Sequence, residues 1–232
     1  IEVLTKNVIC GQVGIENLSF SLFNTQVTDR GMEKLFISLK KAMKEAKVFT
    51  LDLGSTKITH RSIDAFTENT LNVMTEVETL ELYLDNTKIT DESIQKLYFT
   101  MKKCIKRVKT LVLSLSSNKI EDASLEVFAK QIVPNMINLE SFQLYLGSTR
   151  VTDQSMQILV RQMKNVIAGI KTFALSLSST TISDASMKLL ATHTLPGMQI
   201  MESFILYLDN TNVGNTSIEE LSLAMRNKSE NL

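Results

Sequence analysis

The sequence predicts a right-handed α/β solenoid with a concave parallel β-sheet and convex helices. Three observations predict it: a pattern that recurs every 31 residues, a short apolar alternation in each copy, and an apolar helix stripe after it. A polar anchor residue follows each alternation, at Thr25, Thr56, Thr87, Asn118, Thr149, Thr180 and Thr211. A fixed period of this size is typical of stacked repeats, in which each copy packs against its neighbours.

The strand of each repeat is predicted from an alternation of period two. Leu80, Leu82 and Leu84 alternate with Glu81 and Tyr83. Successive side chains of a strand point to opposite faces, so the leucines are expected in the core and the other two side chains at the surface.

A helix is predicted after each turn. Thr90 is a good N-cap, and Asp91 falls in the first turn, where the helix dipole favours an anion. Apolar residues follow at spacings of three and four: Ile94, Leu97, Met101 and Ile105. Because strands stack about 4.8 Å apart and helices about 8–10 Å apart, the stack must curve with its strands inside.

The repeats predict a single array over residues 1–232. A truncated repeat at residues 1–17 precedes seven 31-residue repeats. Ile1 shares the column of Ile63 and Ile94, which lies inside a helix, and Leu232 falls just before the position of a further strand. We therefore expect the chain to be a fragment of a longer array.

The repeat resembles the leucine-rich repeat of the ribonuclease-inhibitor-like subtype. The family signature L-x-x-L-x-L-x-x-N-x-L appears, with one additional apolar–polar pair, as Val77-x-x-Leu80-x-Leu82-x-Leu84-x-x-Thr87-x-Ile89. Thr replaces the signature Asn everywhere except at Asn118. The long strand and the 31-residue period are similar to arrays of protist proteins, including ciliate ones joined to protein kinases. The resemblance covers the whole chain and implies its fold. It does not imply an activity, because activity depends on specific sites and one fold carries many functions.

The composition points away from nucleic acids and membranes as partners. Basic and acidic residues balance at 25 each, so no net field attracts nucleic acid or an anionic membrane, and no apolar run is long enough to insert. Cys10 and Cys104 lie three repeats apart, farther than the Cα separation of about 7 Å that a disulfide spans. Reduced thiols favour a cytoplasmic location, with a secreted or surface location as the alternative.

No pattern for catalysis or for metal or cofactor binding is recognisable in the sequence. His60 and His193 are the only histidines and lie more than four repeats apart, so no Ser-His-Asp, Cys-His or metal-ligand set forms around them. No Gly-rich phosphate loop is present. We therefore predict that the protein is not an enzyme and uses no cofactor and no metal.

The concave face supplies the candidate binding residues. Its most prominent feature is a column of tyrosines at every second strand, set among small residues such as Ser114 and Ser176, which are expected to leave gaps for a partner. The predicted protein-binding residues are Tyr83, Tyr145, Tyr207, Asp52, Glu81, Gln143 and Ile205. Tyrosine is common in binding hot spots. The alternative is that tyrosine and serine only pack across neighbouring strands.

Odd and even repeats differ, so the sequence has a second period of 62 residues. Even repeats carry a proline late in the helix, at Pro134 and Pro196. Nine residues before each anchor, charge changes sign at every step: Glu16, Lys47, Glu78, Lys109, Glu140, Lys171 and Glu202. Each charge in this row is expected to have an opposite charge on both flanks.

Two functional hypotheses follow from these patterns. The first is a non-catalytic structural scaffold or protein-interaction module within a larger assembly or filament, with a protein or further copies of the chain as partner. The second is a ligand-recognition domain of a signalling protein such as a protist kinase. The flanking sequence of the parent protein separates them, because further repeats favour the first and a kinase domain favours the second.

Overall fold

The computed structural model describes residues 14–229 and shows seven parallel strands in one open sheet, each followed by a helix. The strands are β1 (Asn17–Ser21), β2 (Val48–Asp52), β3 (Thr79–Tyr83), β4 (Thr110–Ser114), β5 (Ser141–Tyr145), β6 (Thr172–Ser176) and β7 (Ser203–Tyr207). The helices are α1 (Asp29–Leu39), α2 (His60–Asn69), α3 (Asp91–Met101), α4 (Asp122–Val127), α5 (Asp153–Met163), α6 (Asp184–Leu189) and α7 (Asn215–Ser229). This arrangement confirms the predicted α/β solenoid.

The strands pair in sequence order with a constant register. Asn17 pairs with Val48, Val48 with Thr79, and Thr79 with Thr110, so each partner lies 31 residues further along the chain. The same offset continues to β7. Every position of a repeat therefore lies beside the same position of the next repeat, and the chain is organised in columns.

The core lies between the sheet and the helices, as the alternation predicts. In β3, Leu80 and Leu82 are buried, whereas Glu81 and Tyr83 are only partly covered on the opposite face. Aromatic rings continue the contact along the stack. The ring centroid of Phe173 lies 5.7 Å from that of Phe142 and 5.5 Å from that of Phe204. We call the opposite, outward surface of the seven strands the strand face.

Each strand ends in a turn with a residue of left-handed backbone conformation. These residues have φ values between 49° and 57° and are Asn24, Ser55, Asn86, Ser117, Ser148, Ser179 and Asn210. A non-glycine residue accepts this conformation at a cost, and asparagine accepts it more readily than most. The backbone N–H of Asn86 donates to the carbonyl of Ser116 (2.9 Å) in the next repeat, which holds the turn in place.

The anchor residue closes this turn, which explains why threonine can replace asparagine. The Thr56 hydroxyl donates to the carbonyl of Leu53 (2.6 Å), and Thr149 does the same to Leu146 (2.6 Å). Asn118 does more, because its amide nitrogen donates to the carbonyls of Leu115 (3.0 Å) and Leu84 (2.8 Å). Thr56 and Thr149 therefore close their own turns, whereas Asn118 also ties the preceding repeat, where it accepts from the N–H and hydroxyl of Thr87 (both 3.0 Å).

The aspartates at the helix starts bind the next repeat. The sequence suggested that they favour their own helix dipole, but Asp29 accepts hydrogen bonds from the backbone N–H (2.8 Å) and hydroxyl (2.7 Å) of Thr59 and from the hydroxyl of Ser62 (2.5 Å). Thr59 is the N-cap of α2 and Ser62 lies in its first turn. We call this set the aspartate link, because it joins one helix start to the next.

The aspartate link recurs wherever the column holds aspartate. Asp122 binds Thr152 and Ser155, and Asp153 binds Ser183 and Ser186. Related contacts join Asp91 to Glu121 and Ser124, and Asp184 to Gly214 and Ser217.

His60 occupies the aspartate position in the second repeat and interrupts the series. In the third repeat the backbone N–H of Thr90 instead donates a hydrogen bond to the hydroxyl oxygen of its own Ser93 (3.0 Å). The joint between the second and third repeats therefore lacks this polar link, although its backbone pairing and core are continuous.

The link also shifts the titration of its carboxylates. Burial raises the pKa of Asp29, but hydrogen bonds from Ser62 and Thr59 outweigh it and hold that pKa below its ordinary value. The pKa values of Asp122 and Asp153 are lowered by the same balance. The link therefore stabilises the fold fully above the ordinary aspartate pKa of about 3.9, and this contribution is lost as the pH falls through the lower folded value.

The late prolines of the even repeats are accommodated by a change of helix type. After α4 the chain forms a π-helical turn at Phe128–Ile132, where the Val133 N–H donates to the Phe128 carbonyl, and a 3₁₀ turn carrying Pro134 follows. The same succession surrounds Pro196. Proline lacks an N–H and its ring collides with the carbonyl four residues earlier in an α-helix, so a wider turn relieves the conflict.

Removing a core leucine should destabilise the array strongly. Leu115 is fully buried, and Leu→Ala at such sites costs about 2–5 kcal/mol. Thr110→Ala on the outward side of the same repeat is the control. Urea unfolding should give a much lower midpoint for Leu115→Ala, and equal midpoints would contradict the assignment of buried and outward positions.

Replacing His60 with aspartate should stabilise the array by restoring the missing link. We expect His60→Asp to raise the free energy of unfolding by about 1.5–3 kcal/mol, the usual contribution of hydrogen bonds to a charged group. His193→Asp, at an exposed histidine outside this column, is the matched control. Denaturant unfolding at neutral pH measures both, and an unchanged or lower stability for His60→Asp would show that the link is not a net stabilising contact.

Candidate protein-interaction site

The tyrosine column lies on the strand face, as the alternation predicts. Tyr83 pairs in register with Asp52 on one side and Ser114 on the other, and Ser114 pairs in turn with Tyr145. Tyr207 continues the column in β7. Neighbouring strands are about 4.8 Å apart, so successive tyrosines are about 9.6 Å apart along one line.

The gaps expected between the tyrosines are mostly closed. Ser114 is buried, and so are Val112 and Ala174 in the neighbouring column. Tyr83 and Tyr145 are themselves about half-buried, as expected if large side chains lie over small cross-strand neighbours. The two edge strands are more open. The outward residues of β1 are exposed, and in β7 Tyr207 is 46% and Ile205 is 38% exposed.

Hydrogen bonds hold most of the other candidate residues in place. The Tyr145 hydroxyl donates to the side-chain oxygen of Gln143 (2.9 Å). The Thr50 hydroxyl donates to Glu81 (3.1 Å). A partner therefore meets side chains whose positions are already fixed, which lowers the entropy lost on binding.

Acidic groups surround one tyrosine. Burial raises the pKa of Tyr83, and the negative charges of Glu81, Asp52 and Asp85 raise it further. Burial also raises the pKa of Tyr145. Both hydroxyls therefore stay protonated at neutral pH. The Tyr145 hydroxyl already donates to Gln143 and can accept a hydrogen bond from a partner.

The alternating charge row has opposite charges on both flanks, as expected, but the close ion pairs form on one side of each lysine. Each lysine bonds the glutamate of the preceding repeat at 2.7 Å, in the pairs Lys47–Glu16, Lys109–Glu78 and Lys171–Glu140. The hydrogen bond from Lys109 holds the pKa of Glu78 below its ordinary value. The glutamate of the following repeat acts on the same lysine at longer range, as Glu78 does on Lys47 and Glu202 on Lys171.

Reversing one charge of this row should test the pairing. Lys109→Glu places a carboxylate beside Glu78 and Glu140, whereas Lys109→Gln only removes the ion pair. We expect Lys109→Glu to be the less stable variant in low salt and the difference to shrink in high salt, because exposed charges are screened. Equal urea midpoints in low salt would show that these side chains do not interact across the repeats.

In the described part of the chain, His60, Cys104 and His193 lie in three different repeats. No group of three or more metal-ligating side chains occurs among residues 14–226. His60 and His193 are exposed, and Cys104 is buried, which raises the pKa of its thiol to about 12 and keeps it protonated. Cys10 lies outside the described residues. No helix between residues 14 and 229 has the length and apolar character needed to cross a bilayer.

Two exposed columns were missed by the sequence reasoning. On the helix side, Ile37, Phe99 and Leu223 share one column, and Phe99 is 76% exposed. One residue after the anchors, four consecutive repeats carry the cations Lys57, Lys88, Lys119 and Arg150. Aligning the repeats at the 31-residue period would have revealed both columns. Only the turn and helix positions of each repeat had to be compared, as was done for the strands.

The comparisons with known proteins agree with this fold. A leucine-rich repeat family model matches residues 110–129, which cover β4, its turn and the start of the following helix. This match and the repeated strand–turn–helix unit define an α/β leucine-rich repeat solenoid. A search of curated protein sequences gives no significant match.

Solved structures of leucine-rich repeat proteins resemble the chain at low identity. Actin-binding site 2 of leiomodin-1 is similar with a TM-score of 0.49 and 15% identity, covering 73% of this chain and 92% of that chain. An internalin from Listeria monocytogenes gives 0.42 and 14%, covering 88% and 64%. A leucine-rich repeat protein of Leptospira interrogans gives 0.34 and 14%, covering 87% and 52%. Matches at these scores carry no information about partner or activity.

Proposed function

We propose that the chain is a non-catalytic protein-interaction module that acts as a scaffold within a larger assembly. Its contact surface in this proposal is the strand face, and the observation that carries it is the tyrosine column. Tyr83, Tyr145 and Tyr207 stand in one line on a hydrogen-bonded sheet. The other candidate residues, Asp52, Glu81, Gln143 and Ile205, lie on the same face.

The physical case rests on pre-organisation. Aromatic side chains supply large contact area with few rotatable bonds, and those on a rigid sheet lose little entropy when a partner docks. Packing of Tyr83 and Tyr145 over their neighbours is compatible with contact, because part of each side chain stays accessible.

The polar side chains of the stack support a non-catalytic role. The buried hydroxyls of Thr56, Ser155 and Thr180 all make structural hydrogen bonds within or between repeats. They are therefore occupied in holding turns and helix starts. We also propose a reducing compartment such as the cytoplasm, since the buried Cys104 is a free thiol.

Site-specific cross-linking in the parent assembly should locate the contact surface. A photo-reactive phenylalanine analogue at Tyr145 samples the strand face, and the same group at the exposed Phe99 samples the helix side. We expect a cross-link to a partner from position 145. Cross-links from position 99 alone would contradict the proposed surface.

Binding of the partner identified in this way should depend on the ring of Tyr145. We expect Tyr145→Ala to weaken that binding by about 1 kcal/mol or more, as for an aromatic hot spot, while the unfolding midpoint stays near that of Tyr145→Phe. The conservative variant separates loss of the ring from loss of its hydrogen bond to Gln143. If both variants bind the partner with the affinity of the natural chain, the tyrosine column is not part of the interface.

A further inference from the structure

A basic column runs along the edge of the sheet where the strands end. It occupies the position one residue after the anchor in four consecutive repeats and consists of Lys57, Lys88, Lys119 and Arg150, all of them exposed. Uncharged residues bound it, with Gln26 before it and Thr181 after it. We call these four cations the turn-edge column.

The backbone holds the four cations in line. The N–H groups of Lys57 and Lys88 donate to the carbonyls of Val27 and Ile58 (both 3.3 Å), and the N–H of Arg150 donates to that of Ile120 (2.8 Å). Lys119 lies beside Thr90 in a parallel β-bridge. With a step of about 4.8 Å per repeat, the column spans about 14 Å.

Three of these cations are not neutralised within the described structure. Arg150 pairs with Glu121 (3.0 Å), but Lys57, Lys88 and Lys119 make no side-chain hydrogen bond or ion pair with any residue between 14 and 226. The lysines of the alternating row are paired with glutamates, which shows that neighbouring repeats can place opposite charges side by side. Adjacent like charges repel and destabilise a stack, so this column does not serve the fold.

We propose that the turn-edge column binds an acidic protein segment whose carboxylates are spaced about 5 Å apart. One face of an α-helix provides this spacing. With a rise of 1.5 Å per residue, positions i, i+3 and i+7 lie at about 0, 4.5 and 10.5 Å along the axis, and three successive lysines lie at about 0, 4.8 and 9.6 Å. The column is separate from the tyrosines, so this inference does not rest on the proposed contact through the strand face.

Flanking carboxylates favour a peptide over a nucleic acid. Asp85 lies on the strand side of the column and Glu121 on its helix side. A phosphate backbone carries charge at every nucleotide and would meet these carboxylates as well as the lysines. A helix with acidic residues on one face and neutral residues elsewhere places negative charge only against the lysines.

The probe is a labelled, alanine-rich helical peptide with glutamates at i, i+3 and i+7. A second peptide of equal charge carries its glutamates on different faces. Binding is measured by fluorescence anisotropy to the natural chain, to the triple variant Lys57→Gln, Lys88→Gln, Lys119→Gln, and to a control triple variant. The control, Lys40→Gln, Lys41→Gln, Lys164→Gln, removes the same charge from exposed lysines on the helix side.

We expect the aligned peptide to bind in low salt and the turn-edge variant to bind it at least about tenfold more weakly. The control triple variant and Tyr145→Ala should bind it like the natural chain. No binding of the aligned peptide, equal binding of the two peptides, or equal loss in both triple variants would overturn the proposal. Tighter binding of oligodeoxythymidine through the same lysines would also overturn it, by assigning the column to nucleic acid.

Discussion

The backbone hydrogen bonds between neighbouring repeats are the constraint on which the rest of the structure depends. Each strand pairs with the next at an offset of 31 residues, from β1 to β7. The turns obey the same offset, since the N–H of Ser117 donates to the carbonyl of Gly147 in the following repeat (2.8 Å). A single inserted residue in a strand would move its leucines to the solvent side. Because the register is constant, equivalent residues of successive repeats lie side by side in columns. The exposed columns form the surfaces of the protein.

Stability in such a stack is set by contacts between nearest neighbours. Core packing and backbone pairing are continuous, so the polar links distinguish one joint from another. Asp29, Asp122 and Asp153 each fasten the helix start of the next repeat, whereas His60 leaves the joint between the second and third repeats without this contact. The lysines of the alternating row form ion pairs with glutamates, whereas Lys57, Lys88 and Lys119 of the turn-edge column form none with residues 14–226.

The period and alternation were sufficient to predict the strands, anchors, helix starts and outward tyrosines, because each depends on local pattern. Contacts between repeats were harder to predict. Asp29 fits a favourable site in its own helix, and its actual partners, Thr59 and Ser62, become visible only when two repeats stand side by side. Ser114 seemed exposed by alternation, but the large neighbours Tyr83 and Tyr145 cover it. The π-helical turn before Pro134 depends on how the chain relieves a steric conflict, which sequence spacing does not specify.

Hydrogen exchange of individual N-cap amides tests most directly whether aspartate links fasten successive repeats. The amides of Thr59, Thr152 and Ser183 donate to an aspartate of the preceding repeat, whereas the amide of Thr90 is bonded only within its own helix start. Local opening governs such exchange. The account predicts strong protection at the three linked amides and weaker protection at Thr90. Equal protection at all four positions, or greater protection at Thr90, would contradict it.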